Sequence, residues 1–191
     1  MNNRPFILKG KINIIDDCDF LIGSIIKNDN VKEEEKSKYI QVLDDENINL
    51  YSNGYKAYIF QNEILDKNLL KKINYCSNID NYNTLINYDA IEILTDRYIK
   101  VLYRDDSSDN VILVTNQCNS NCIMCPDSDL VRSTNYNPNI NELIEQIKCI
   151  PNDTEHITIT GGEPGLLKYD LIKLVRNMQR IFKWDKFYTI K

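Results

Sequence analysis

The sequence has no apolar run long enough to span a bilayer. Segments such as "AYIF" and "VILV" fall far short of the ~20 residues a membrane helix needs. The N-terminus, "MNNRPFILKGKINIID", lacks a cationic start, a long apolar stretch and a small-residue cleavage site, so a cytoplasmic protein is expected. An excess of basic residues is also missing. Lys and Arg total 23 against 28 Asp and Glu, for a net charge of -5 at pH 7. Gripping nucleic acid as a main task needs a basic surface, so neither nucleic acid nor membrane is an expected partner. Internal repeats and low-complexity tracts are absent too. There is a single histidine, His156, just ahead of an apolar run. A solvated or capping role suits it better than metal ligation or acid–base work.

What is present suffices for a packed core: 191 residues, 42% hydrophobic and 27% charged, enough for one large domain or two small ones. There are six cysteines, Cys18, Cys76, Cys118, Cys122, Cys125 and Cys149. Without a secretory leader, and with three of them crowded together, metal binding or redox chemistry is a better reading than disulfides. Cys18, Cys76 and Cys149 are isolated and read as passive thiols.

Residues 1–106 read as a small α+β domain. "FILKGKINIID" is expected to be a strand with a glycine turn. "NDNVKEEEKSK" is expected to be a solvated loop or frayed helix. "KYIQVLDD" and "GYKAYIF" read as strands. "NEILDKNLLKKINYC" places Ile64, Leu65, Leu69, Leu70 and Ile73 at helical spacing. "DAIEIL" and "YIKVLYR" read as a hairpin. No catalytic constellation stands out in this half, and "DDSSDN" is the expected boundary.

Residues 107–191 have a different pattern. "VILVT" reads as a strand buried on both faces, and the cysteine loop follows it. "NINELIEQIKCI" carries a helical stripe. "HITIT" is a second strand, ending in "GGEPG". "LLKYDLIKLVRNMQRIF" is a second helix, with Leu167, Leu171, Leu174, Val175, Met178 and Ile181 as its apolar stripe, and "FYTI" opens a third strand. This alternation implies an α/β unit with a parallel sheet. Ligands bind such sheets at the carboxyl ends of the strands, which is where the cysteine loop and "GGEP" both fall.

"TNQCNSNCIMCPDS", residues 115–128, sets Cys118, Cys122 and Cys125 in a C-x3-C-x2-C spacing. A structural zinc site takes four protein ligands, and the fourth here would have to be Cys149, Cys76, Cys18 or His156, all distant in sequence. A four-iron cluster fits better: three thiolates hold three irons and leave the fourth open to a small chelating ligand. A zinc knuckle or a chance thiol cluster remains the alternative. In "TITGGEPG", Gly161 and Gly162 let backbone approach a ligand closely, and Glu163 is suited to pair with an ammonium group. Pro164 suits the first position of a following helix. Alone, this turn is equally an ordinary strand-to-helix connection.

Together, Cys118, Cys122 and Cys125 with Gly161, Gly162, Glu163 and Pro164 resemble the radical S-adenosyl-L-methionine (SAM) superfamily, over residues 107–191. The resemblance implies a partial (β/α)6 barrel, a [4Fe-4S] cluster on the three cysteines, and SAM chelating the open iron through its methionine end. Glu163 and the backbone of Gly161 and Gly162 would hold the methionine amine. One electron, from a donor such as flavodoxin or ferredoxin, would cleave SAM to a 5'-deoxyadenosyl radical. The family usually carries an aromatic residue before the last cysteine, near adenine, whereas this chain has Met124, a thioether able to pack on the same ring. The stretch "YIKVLYRDDSSDNVILVTNQCNSNCIMC" is also similar to the radical SAM maturases of the His-Xaa-Ser system, which implies a ribosomally made peptide as substrate.

The 81 residues from 111 to 191 (191 − 111 + 1) supply two and a half strand–helix units at about 30 residues each. The barrel is therefore expected to be truncated in its third strand. The alternatives to a complete enzyme are an inactive remnant or a split subunit, in which a second chain supplies the missing strands. A zinc-binding interaction protein is a third.

Overall fold

The computed structural model describes residues 4–16, 18–44, 48–62, 67–95, 98–120, 122–123, 125, 138–182 and 189–190. The chain divides into two compact units, 1–105 and 106–191. Among the described residues, no helix is long and apolar enough to cross a membrane.

The first unit is built from short β-branched and aromatic runs, and it is mostly sheet. Its strands are β1 (Ile7–Lys9), β2 (Lys11–Asn13), β3 (Phe20–Ile26), β4 (Tyr39–Leu43), β5 (Ala57–Phe60), β6 (Tyr75–Ser77), β7 (Ala90–Leu94) and β8 (Tyr98–Tyr103). They form one mixed sheet in the order β1-β8-β7-β3-β4-β5-β6-β2. β3, β4, β5 and β6 run parallel to one another, and the remaining pairs are antiparallel. β1 and β2 are one segment hinged at Gly10, yet they occupy opposite edges of the sheet. The sheet must therefore roll until its edges meet at that residue. A Cβ at position 10 would press on the Ser77 carbonyl oxygen at 2.9 Å as well as on the Ile79 side chain, which favours glycine at the hinge.

The roll encloses Leu8, Ile25, Ile40, Val42, Ile59 and Ile99, among others. Alternate residues of the parallel strands face outward into a second cluster of Ile26, Leu43, Tyr55, Tyr58, Phe60 and Tyr75. Tyr58 and Phe60 stack at 6.1 Å with their planes 9° apart.

Two local expectations change here. The described helix around "NEILDKNLLKKINYC" is only α1 (Lys67–Leu70), with positions 63–66 outside the described residues. Leu70 and Ile73 pack on the aromatic cluster, so their spacing serves that contact, and the chain then enters β6. The charged run forms a 3-10 helix, Glu33–Lys38, with Lys36 only 3% exposed. Lys36 Nζ donates to Glu33 Oε1 (2.6 Å) and Ser52 Oγ (2.8 Å) and lies 3.1 Å from Asp29 Oδ1. A buried cation needs such partners. The expected strand with a glycine turn is two short strands, β1 and β2, that part at Gly10. A second buried charge, Asp89, is fully enclosed. It accepts from Arg104 Nη1 (3.0 Å), Arg4 Nη1 (3.2 Å) and the amides of Ile86 (3.1 Å) and Asp105 (3.0 Å).

The second unit contains β9 (Val111–Thr115), α2 (Ile140–Lys148), β10 (Thr158–Gly161), a 3-10 turn (Pro164–Leu167), α3 (Tyr169–Ile181) and β11 (Thr189–Ile190). The strands pair in the order β11-β10-β9, all parallel. Asn139 starts α2 with a capping box: its side chain accepts from the Asn141 amide (2.9 Å), and Glu142 accepts from the Asn139 amide (3.3 Å). The core takes Ile112 and Val114 from β9, Ile157 and Ile159 around β10, Leu143 and Ile147 from α2, and Leu174 and Met178 from α3. β9 is not buried on both faces as expected. Val111 and Leu113 are each 47% exposed, because β9 is a sheet edge with one face uncovered.

Candidate functional site

β9 delivers the cysteine loop, and β10 delivers the glycine turn beside it. In register, Thr158 lies opposite Val111 and Thr160 opposite Leu113, and the pairing then shifts so that Gly161 faces Thr115. This irregularity ends the regular ladder where the two motifs begin.

Past the strand ends, the two loops stay joined by backbone. The Gly162 amide donates to the Thr115 carbonyl (2.9 Å), and the Glu163 amide donates to the Gln117 carbonyl (2.8 Å). These bonds lead up to Cys118. A Cβ at 161 would collide with the Thr115 carbonyl oxygen, and one at 162 with the Gln117 carbonyl oxygen. Both glycines are therefore required for the loops to approach this closely. Pro164 is buried and opens the 3-10 turn. Glu163, half-buried, caps that turn through Oε1, which accepts from the Gly165 amide (3.0 Å). Among the described residues, its Oε2 makes no hydrogen bond.

Cys118 and Cys125 are half-exposed and Cys122 is exposed. The Ser120 amide donates to Cys118 Sγ (3.4 Å), and the Cys125 amide donates to the Cys122 carbonyl (3.1 Å), closing a tight turn between those two cysteines. Ile123, between them, is fully exposed. Among the described residues, no group of three or more His, Cys, Asp or Glu side chains is arranged to hold a metal ion, so the three thiols do not meet as a ready ligand set. Metal binding and the ordering of its ligands are coupled. Met124 lies outside the described residues.

Cys76 is 1% exposed inside the rolled sheet, and burial pushes its thiol far above the ordinary range. His156 is half-buried just ahead of β10, at the end of that strand away from the glycine turn.

Three contributors were not singled out from sequence. Thr115 is buried, and its Oγ1 accepts from the Gln117 amide (3.1 Å), turning the chain out of β9. A threonine closing an apolar run three residues before the first cysteine is the available signal for such a turn. Gln117 and Ser120 act through backbone groups, which leave no trace in residue type. Comparison with protein-family models, with curated proteins and with solved structures finds no match to this chain.

Proposed function

We propose that this chain is a radical SAM protein, in which the loop from Cys118 to Cys125 holds a [4Fe-4S] cluster and the Gly161–Pro164 turn holds the methionine end of SAM. The proposed fold of the second unit is the N-terminal portion of a partial (β/α)6 barrel. The observation that carries this reading is the backbone stitching of the two motifs, Gly162 to Thr115 and Glu163 to Gln117, at adjacent carboxyl ends of parallel strands.

The residues present suit the group. Three thiols on one loop match the soft donors an iron–sulfur cluster takes. The Ser120 amide on Cys118 Sγ is the kind of N–H to sulfur bond that tunes such a centre. When bound, cluster and SAM supply a one-electron cleavage of the sulfonium C–S bond that yields a 5'-deoxyadenosyl radical. The chain's own work is positioning. Cys118, Cys122 and Cys125 would hold the iron, and the Glu163 carboxylate would accept from the methionine ammonium. Gly161 and Gly162 let the turn lie against the Thr115–Gln117 backbone, which would keep Glu163 beside the cysteine loop where that ammonium would sit. Met124 would pack on adenine. The substrate class proposed is a ribosomally made peptide, with flavodoxin or ferredoxin as electron donor, in a cytoplasm where thiols stay reduced.

A second reading is a cluster-binding module that works with another chain. The uncovered face of β9, with Val111 and Leu113 half-exposed, favours it. Anaerobic reconstitution with iron and sulfide should load about four irons per chain. Replacing Cys118, Cys122 and Cys125 together by Ala should abolish that loading, and unchanged iron content would sink both readings. With dithionite and SAM, 5'-deoxyadenosine from the isolated chain supports the enzyme. Loading without cleavage supports the module.

A further inference from the structure

An open groove runs between α2 and α3 in the second unit, with a volume of about 460 Å³. Its floor and walls include Ile144 from α2, with Tyr169, Ile172, Lys173, Arg176 and Arg180 from α3. The α3 residues follow an i, i+3, i+4, i+7, i+11 spacing, which puts them on one helical face. That face is distinct from the core stripe, where Leu174 and Met178 are fully buried. α3 thus carries a second patterned face, beside the core stripe and open along the groove.

The groove's charge opposes that of the chain. The whole protein carries -5, yet the described lining holds three cations and no carboxylate. Lys173 Nζ is tied to Asn141 Oδ1 (3.1 Å). Arg176 and Arg180 are exposed and make no ion pair among the described residues. The acids of α2 are engaged elsewhere, Glu142 in the capping box and Glu145 with Lys148 (2.7 Å). Two guanidinium groups one helical turn apart are spaced by about 6 Å along the axis, which matches carboxylates one turn apart on a facing helix. Apolar surface lies beside them: Tyr169 is 85% exposed and Ile172 48%. Such surface rimmed by charge marks an interaction site.

We propose that the α2–α3 groove docks an acidic amphipathic helix of a polypeptide partner, its Glu or Asp side chains on Arg176 and Arg180 and a bulky apolar side chain over Ile144 and Ile172. Laying an apolar helix face into a groove is a general mode of peptide recognition. A long polyanion fits less well, because the chain's net negative charge repels it and the apolar floor gives it nothing. The inference needs no cluster and stands apart from the proposed reaction.

The test uses the full metal-free chain and a short fluorescein-labelled helical peptide with Glu at i and i+4 flanking Leu. Fluorescence anisotropy should show saturable binding that weakens as salt rises. R176E with R180E should weaken it at least about tenfold, while a peptide with Lys in place of Glu should bind this variant better than it binds the wild type. Ile172→Ser, at an exposed position, should weaken binding without the charge change, and far-ultraviolet circular dichroism should show both variants folded. Equal binding by wild type and R176E/R180E would overturn the proposal. So would an oligonucleotide or an anionic phosphatidylglycerol vesicle that binds as tightly as the peptide.

Discussion

Gly162 sits where two loop backbones nearly touch, and its missing side chain is what lets the Glu163 amide reach the Gln117 carbonyl. Adding one methyl group there forces the loops apart. Overpacking of this kind typically costs about 1–3 kcal/mol. Gly165 is two residues past Glu163 in the same turn, but a Cβ there meets only the Glu163 carboxylate, at 3.0 Å, and that side chain can move. Gly162→Ala should therefore lower the urea midpoint of the second unit clearly, while Gly165→Ala shifts it much less. Equal effects of the two substitutions would show that the close approach is not what the glycine provides. At this scale the sequence is most informative for side chains with distinctive chemistry. The three cysteines, the two glycines and Glu163 stand out by type and spacing. The Ser120 amide and the Gln117 carbonyl are backbone groups, which residue identity does not mark.

At the scale of elements, period and turn chemistry are legible where neighbours agree with them. "VILVT" is β9, and the stripe through Leu174 and Met178 is the core face of α3. Around Leu70 and Ile73 the described helix is only α1, and both side chains pack on the aromatic cluster. The run "EEEKSK" looks solvated by composition. Lys36 is nonetheless buried, since Asp29, Glu33 and Ser52 supply partners that are remote or ambiguous in sequence.

That cluster has a pH signature. Burial acts to raise the Asp29 pKa, but hydrogen bonds from Tyr55, Ser52 and Lys36 outweigh it, and the carboxyl ends below its ordinary value of 3.8. A group depressed in the folded state contributes stability above its unfolded pKa and loses it as pH falls through the folded one. The first unit should thus lose stability on acidification below about pH 4. Asp29 is 34% exposed, so solvent screening keeps its share below about 1 kcal/mol. Urea unfolding at neutral pH and near pH 3 should show a smaller difference for Asp29→Asn than for the parent chain. An unchanged difference would place the acid sensitivity elsewhere.

For the whole molecule, every strand of the rolled sheet and both of its hydrophobic clusters come from residues 1–105. The Asp89 network closes within the same span, from Arg4 to Asp105. A fragment of residues 1–105 should unfold cooperatively in urea with a β-rich circular dichroism spectrum. A broad transition without a pre-transition baseline would show that this half depends on the rest of the chain.

The hinge at Gly10 also sets an order of events during synthesis. β1 and β2 leave the ribosome long before β6 and β8, the strands that hold them. Closing the roll requires contacts spanning about ninety residues, such as Ile7 with Lys100, and such non-local pairing is slow. Until Tyr103 has emerged, the edges of β1 and β7 that β8 will join stay open to other chains. The segment at Gly10 is thus translated early and seated late, and the time between the two is when this half is most exposed to aggregation.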